Sequence, residues 1–289
     1  MATTEIPHRI IQTWKTHTVP EKYQKYQQSW LRLHPKWEYE LTDDADNRAF
    51  IAEHRPQSLD VYDRLPEVAK SICQVDYYRY LKLGKRGGGY ADLDAEAIKP
   101  LDDLCHIPGA KVVLGSPLNT ERFVECAIML SVPEHPLWNA VLDEIDESVR
   151  NPTKLNRFYK RVNGSLHVLS LTGPMLLGRV IRRAKKANLS WYKDIYFLPK
   201  DAFYAGFWFT DDVKNGGYES VTPNTYAIHR MANTWVESPF EKGFGDMGRT
   251  VYGKVLIYLT IVIIIGLVLN SVYRITRKVK RVFLPEVVL

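Results

Sequence analysis

The sequence predicts an α/β fold with a mainly parallel central sheet, on three observations. The first 53 residues alternate short β-prone runs with helical ones, the order that builds parallel sheets. A helix, a glycine turn and a short strand follow over residues 68–101, and that strand ends in two aspartates. In such sheets ligands collect beyond the carboxyl ends of strands, where this pair falls. Finally, 289 residues at 45% hydrophobic content are enough for one substantial core and a small annex.

Residues 6–14 (IPHRIIQTW) are apolar and β-prone and suit an early core strand ending at Trp14. Pro20 opens a helix over 21–33, which His34-Pro35 closes. WEYEL at 37–41 alternates as a second strand, and Thr42, Asp43 and Asp44 then cap a helix over 46–53.

The unit at 68–101 is the centre of the reading. Its helix is expected over about 68–83 and its strand over 90–93. Strand side chains alternate faces, so Asp92 and Asp94 point the same way while Leu93 enters the core. Gly87, Gly88 and Gly89 strip side chains from the approach to the strand, so that another backbone or a ligand can come close. Asp76 and Arg79, three apart on one helix face, can both reach the strand end. Carboxylates, an arginine and open backbone suggest a metal with a phosphorylated substrate.

Further on, 111–115 and 127–132 read as short strands flanking a loop at 116–125, and PEHP leads into a helix over 137–149. The polar, basic stretch 151–163 reads as a surface excursion. Pro174 starts a helix to about 187, and 195–198 is a late strand. An aromatic, turn-rich segment, 203–226, precedes AIHRMANTW at 227–235.

The net charge is +6, yet residues 249–289 hold seven basic and one acidic residue, leaving 32 of each sign in the first 248. A nucleic-acid-binding face on the folded domain is therefore not expected. Cys73, Cys105 and Cys126 have no CxxC spacing and read as reduced thiols rather than a zinc or disulfide framework. Residues 255–273 contain 19 positions without a charge, enough at ~1.5 Å per residue to span a bilayer core of roughly 30 Å. They are expected to form a C-terminal transmembrane helix, dividing the chain into a catalytic domain (1–248) and an anchor with a basic tail (249–289). Arg274, Arg277, Lys278, Lys280 and Arg281 follow that run, and the positive-inside rule makes the tail cytoplasmic and the domain lumenal. The first fifteen residues hold no apolar signal region. Two arrangements stay open: a tail-anchored cytosolic domain, or a domain that crosses by another route.

Taken in order, IPHRIIQTWK, HPKWEYELTDD, VDYYRYLKLGKRGGGYADLDAEAIKPLDDL, PEHP and TGP resemble the family 32 glycosyltransferases, which contain a DxD sugar-binding region. GSPL, SVPEHP and LTGP with the C-terminal apolar helix are most similar to the eukaryotic mannosyltransferases that modify inositol phosphoceramide. A bare DxD is a weak signal, whereas the ordered set is a strong one. The resemblance implies a GT-A, Rossmann-like nucleotide-sugar domain and a retaining, membrane-anchored transferase of the Golgi or another endomembrane. It also implies Mn²⁺ or Mg²⁺ as cofactor, GDP-mannose as donor and a lipid-linked or glycan acceptor.

A departing nucleoside diphosphate develops negative charge, which a metal bridged to carboxylates stabilises. On the resemblance, Asp94 is the first choice as metal ligand, with Asp92 sharing the metal or touching ribose and His229 as a third metal or diphosphate contact. Asp76 and Arg79 would hold the donor sugar and its phosphate, Arg79 through its directional fork. Trp14 would stack on the base, Tyr90 would pack under the sugar, and Trp235 would cover the donor; Lys70 and Asn119 are weaker choices. No carboxylate nucleophile can be placed. Two rivals stand beside this reading. One is the same chemistry with UDP-galactose or UDP-glucose on a glycan; the other is a membrane-tethered sugar-binding or scaffold protein that is not an enzyme.

Overall fold

The computed structural model describes residues 5–69, 71–162, 164–205 and 220–230. In chain order the elements are β1 (Arg9–Thr13), α1 (Glu21–Leu33), β2 (Glu38–Thr42), α2 (Asp44–His54), α3 (Leu59–Val68), α4 (Ile72–Arg86), β3 (Gly88–Ala91), β4 (Ala95–Ala97) and α5 (Asp102–Cys105). They continue with β5 (Val112–Gly115), β6 (Ile128–Ser131), α6 (Pro136–Arg150), α7 (Lys154–Val162), α8 (Gly164–Leu171), α9 (Pro174–Lys186), β7 (Ile195–Leu198) and β8 (Ala227–His229).

Six strands form one sheet in the order β2-β1-β3-β6-β5-β7. The β1/β2, β1/β3 and β5/β7 pairs are parallel, while β6 runs antiparallel to both its neighbours. The mainly parallel sheet expected from the sequence is thus present, with one reversed strand at its centre. Its inner strands are covered on both faces, and the two-residue period sorts their side chains. Ile11, Tyr90, Val112, Leu114 and Met129 pack among the helices of one face. Ile10, Ala91, Val113, Ile128 and Leu130 pack with Trp30 and Leu104 on the other, the apolar-on-both-sides pattern of a sandwiched sheet.

Local chemistry explains the element ends. Asp43 Oδ1 accepts from the backbone N–H groups of Ala45 and Asp46, and Asp46 Oδ2 accepts from the N–H of Asp43. This reciprocal cap starts α2 two residues earlier than expected. Between α4 and β3, Gly87 has φ +64°, and a Cβ there would lie 2.7 Å from Pro133 Cδ and 2.9 Å from Pro7 Cδ. The glycine run therefore serves a helix end and close packing by the chain itself. It sits at the start of β3, where a Cβ on Gly88 would lie 2.9 Å from the Arg9 carbonyl oxygen, so of the two expected uses the close approach of another backbone is the one seen.

The helix expected over about 68–83 is α4, which runs from Ile72 to Arg86, and a separate helix that was not expected, α3, ends just before it at Val68. The chain turns extended at Ala69 (φ −151°, ψ −163°), and α4 starts at Ile72. The strand expected at 90–93 spans Gly88–Ala91, which leaves Asp92 and Asp94 in the turn that follows. Residues 154–162 of the expected surface excursion form α7. Cys73, Cys105 and Cys126 are buried and form no disulfide among the described residues. Among the described residues no helix is long and apolar enough to cross a membrane; the run at 255–273 lies outside them.

Candidate active site

Asp92 leaves the end of β3 with its backbone N–H donating to the carbonyl of Ala127 (2.8 Å), and the N–H of Ala95 closes a turn on the carbonyl of Asp92 (2.9 Å). Gln12 Nε2, at the parallel end of β1, donates to that same carbonyl. Beyond the turn, β4 pairs antiparallel with β8, placing His229 opposite Ala95. The carbonyl of Asp94 accepts from the N–H of Arg230 (2.9 Å). A residue 135 positions downstream of Asp94 thus arrives beside the aspartate pair through a three-residue strand.

His229 Nε2 lies 3.4 Å from Asp94 Oδ1 and 4.0 Å from Asp92 Oδ2. One ligand atom from each residue falls within 4.8 Å of the others. Burial pulls the His229 pKa down, but Asp94, by charge and hydrogen bond, together with Asp92 and Glu125, pushes it up to about 9. Carboxylates gathered around one imidazole demand a positive charge. Oxygen donors with one imidazole suit Mn²⁺ or Mg²⁺, so this donor set fits the metal expected from the sequence.

Behind Asp92 stands a buried ionic cluster on α4. Arg79 Nη2 lies 3.1 Å from Asp92 Oδ1 and 3.3 Å from Asp76 Oδ1, and its Nη1 donates to the carbonyl of Cys126 (2.8 Å). Asp76 Oδ2 accepts from Thr172 Oγ1 (2.6 Å) at the end of α8. Burial raises the pKa of Asp76 and of Asp92, and Arg79 opposes it in both. Asp76 and Arg79 are 3% and 2% exposed. Arg79 Nε has no hydrogen-bond partner among the described residues, an unmet donor beside the aspartates.

Tyr90 lies behind the carboxylate rather than at an open face. It is 1% exposed, its hydroxyl donates to Asp92 Oδ1 (2.8 Å), and the Arg79 guanidinium lies over its ring at 4.7 Å. In the described residues it braces Asp92. Trp14 is half-buried just past the end of β1, edge-on to Tyr23 at 5.3 Å. Asn119 is exposed at a loop tip with φ +49°. Lys70 and Trp235 lie outside the described residues.

Glu125 and Tyr204 join the site without having been expected there. Burial pushes the Glu125 carboxyl up to about 7, with His229 opposing the shift and Asp92 adding to it. Tyr204 stands edge-on to His229, ring centres 6.4 Å apart, and its ring fills the space a side chain on Gly115 would take, 2.7 Å from a Cβ there. Glu125 closes the loop at 116–125, next to Cys126 and Ala127, whose carbonyls hold Arg79 and Asp92. No spacing in the sequence marks it, because the sheet brings it to the aspartates.

The aspartate pair falls within a stretch that matches a known family model. Residues 20–108 match the model of the glycosyltransferase sugar-binding region containing the DXD motif. The chain is 36% identical over 146 residues to inositol phosphoceramide mannosyltransferase 2 of Schizosaccharomyces pombe, covering 50% of this chain and 40% of that protein. It is 33% identical over 182 residues to mannosyl phosphorylinositol ceramide synthase SUR1 of Saccharomyces cerevisiae, 63% of this chain and 43% of that one. The matches therefore span less than half the length of these relatives. In three dimensions it resembles the ligand-free glycosyltransferase domain from the YGT toxin, with TM-score 0.51 and 11% identity over 73% of this chain and 86% of that domain. The resemblance read from the motifs holds: residues 20–108 match the glycosyltransferase sugar-binding region containing the DXD motif, and the fold is GT-A-like.

Proposed function

We propose that the protein is a metal-dependent retaining mannosyltransferase that moves mannose from GDP-mannose to an inositol phosphoceramide-type lipid. The observation that carries the reading is that Asp92 and Asp94, within the matched DXD region, converge with His229 at the end of β3. The names of the relatives, inositol phosphoceramide mannosyltransferase 2 and mannosyl phosphorylinositol ceramide synthase SUR1, supply the sugar and the acceptor class.

Asp94, Asp92 and His229 hold the divalent ion, which when bound stabilises negative charge on the departing diphosphate. Tyr90 and Arg79 fix the Asp92 carboxylate, so its oxygens are already oriented before donor arrives. Asp76 and Arg79 are assigned to the sugar hydroxyls and phosphate from behind Asp92, Arg79 through Nε, which has no hydrogen-bond partner among the described residues. Trp14 supplies a stacking face for the base, and Trp235 belongs to the covering segment. The run at 255–273 anchors the enzyme in a Golgi or related membrane, confining enzyme and lipid acceptor to one surface and raising their effective concentration.

The test is turnover of GDP-mannose, UDP-galactose and UDP-glucose by the purified protein with Mn²⁺ or with chelator, with and without inositol phosphoceramide. GDP-mannose is expected to be used, with metal, and Asp94→Ala to abolish the reaction. Equal turnover by wild type and Asp94→Ala overturns the site, preference for a UDP-sugar overturns the donor, and metal-independent sugar binding without turnover favours a non-enzymatic sugar-binding protein.

A further inference from the structure

Helix α7 (KLNRFYKRV) is turned the wrong way round for a soluble surface. Leu155 and Phe158, three apart and so on one face, are each 55% exposed, whereas Asn156 between them is 9% exposed. Leu166 on the neighbouring α8 is a further 38% exposed. Surface helices ordinarily bury the apolar stripe and show the polar one, and a grouped reversal marks a surface that meets something apolar.

The charge around this stripe narrows what that is. Residues 150–171 hold five basic residues and no acidic one. Lys154, Arg157 and Lys160 are exposed, and among the described residues none is paired with a carboxylate. Arg157 Nη1 donates to the carbonyl of Pro152 (2.9 Å) and Lys160 Nζ to that of Glu67 (3.4 Å), bonds that leave both charges uncompensated. A leucine and a phenylalanine beside unpaired basic side chains on one helix are the chemistry of an element lying in a bilayer interface, rings among the acyl chains and cations at the phosphates.

We propose that α7 docks on a membrane surface that carries anionic phosphodiester headgroups. Docking is in the plane of the interface and is distinct from spanning by residues 255–273. It rests on α7 and the adjoining part of α8 and holds whichever sugar is transferred. Its consequence for the site runs through α8, which packs on α7 and is followed by Thr172, the hydrogen-bond donor to Asp76.

The experiment places an environment-sensitive fluorophore on the full chain at Phe158→Cys, the native cysteines being buried. The protein is reconstituted in phosphatidylcholine vesicles with or without phosphatidylinositol, each containing a lipid-borne quencher. A label at Leu189→Cys, another exposed apolar position, is the control. The expected result is quenching at position 158 that strengthens with phosphatidylinositol and weakens in high salt, with position 189 unaffected. Each basic residue near an anionic surface contributes roughly fivefold in partitioning, so Lys154→Glu/Arg157→Glu/Lys160→Glu should lower the docked ratio by about 100-fold. Circular dichroism of that variant checks that it folds. Position 158 remaining unquenched with phosphatidylinositol, or quenched equally without it, overturns the proposal. A concentration-dependent blue shift in lipid-free detergent would seat a protein or a second copy there and overturns it as well.

Discussion

Replacing Arg79 by methionine removes the positive charge from the cluster while keeping an unbranched chain in the same space. Arg79 sits within 3.3 Å of Asp76 and 3.1 Å of Asp92, and all three side chains lie within the folded core or at its edge. Without it, the folded protein must either bury an uncompensated carboxylate, at about 3–5 kcal/mol, or protonate one. A carboxyl that titrates near 3.9 in the unfolded chain and must be protonated in the folded one costs up to about 4 kcal/mol at pH 7 and about 1.5 kcal/mol at pH 5. The two routes cost about the same at pH 7, and protonation is the cheaper one at pH 5, so it limits the loss as pH falls. The sign follows from linkage. Burial already raises the pKa of Asp76 and of Asp92, and Arg79 opposes that rise. In the variant the folded state holds a proton that the unfolded chain releases, so its relative stability recovers as pH falls. Urea denaturation of both proteins at pH 7 and pH 5 measures this directly. A deficit of a few kcal/mol at neutral pH that shrinks by about 2–3 kcal/mol at pH 5 is expected. A deficit under about 1 kcal/mol, or one independent of pH, would refute the ionic cluster as described.

Glu125→Gln should lower the midpoint at which metal-free His229 titrates from its value of about 9, because a carboxylate that stabilises the imidazolium has been neutralised. The His229 ring-proton resonance followed against pH reports it, and an unchanged midpoint contradicts the assigned proximity. His135 offers an independent test remote from the aspartates. Burial pulls its pKa down to about 4, against the attraction of Asp194, so between pH 6.5 and 4 the unfolded chain binds a proton that the folded chain does not. That site alone should remove up to about 3 kcal/mol of stability as pH falls through the window, with no effect above it. His135→Asn, compared with wild type by thermal denaturation, should flatten this slope, and parallel pH profiles would count against the burial argument.

What could be read from the sequence was what local patterns encode. The α1 and β7 boundaries coincide with the expected ones because Pro20 and His34-Pro35 bracket the helix and IYFL is a compact β-prone run. The aspartate pair was legible because glycines, a strand and a DxD stand in one short stretch. Helix α3 was missed because Pro66 stands inside it, a residue ordinarily read as ending a helix. Helix α7 was missed because its polar composition resembles a loop and its apolar pair faces outward, against the pattern by which helices are recognised. Glu125 and Tyr204 carry no motif at all. They reach His229 only through β5, β6 and the β4/β8 pairing, long-range contacts that no window of sequence contains. What approaches the glycines was illegible for a related reason: their close neighbours are Pro7, Arg9 and Pro133, which the sheet brings to them.

The central claim is that Asp92, Asp94 and His229 hold a divalent ion that in turn holds a nucleoside diphosphate. Calorimetric titration of GDP into the full-length protein, with Mn²⁺ and with chelator, tests it most directly when repeated on Asp94→Ala. GDP should bind wild type only with Mn²⁺ present, and the variant should lose that binding while keeping the wild-type circular dichroism spectrum. Equal GDP affinity with and without metal, or in wild type and a folded Asp94→Ala protein, would contradict the account.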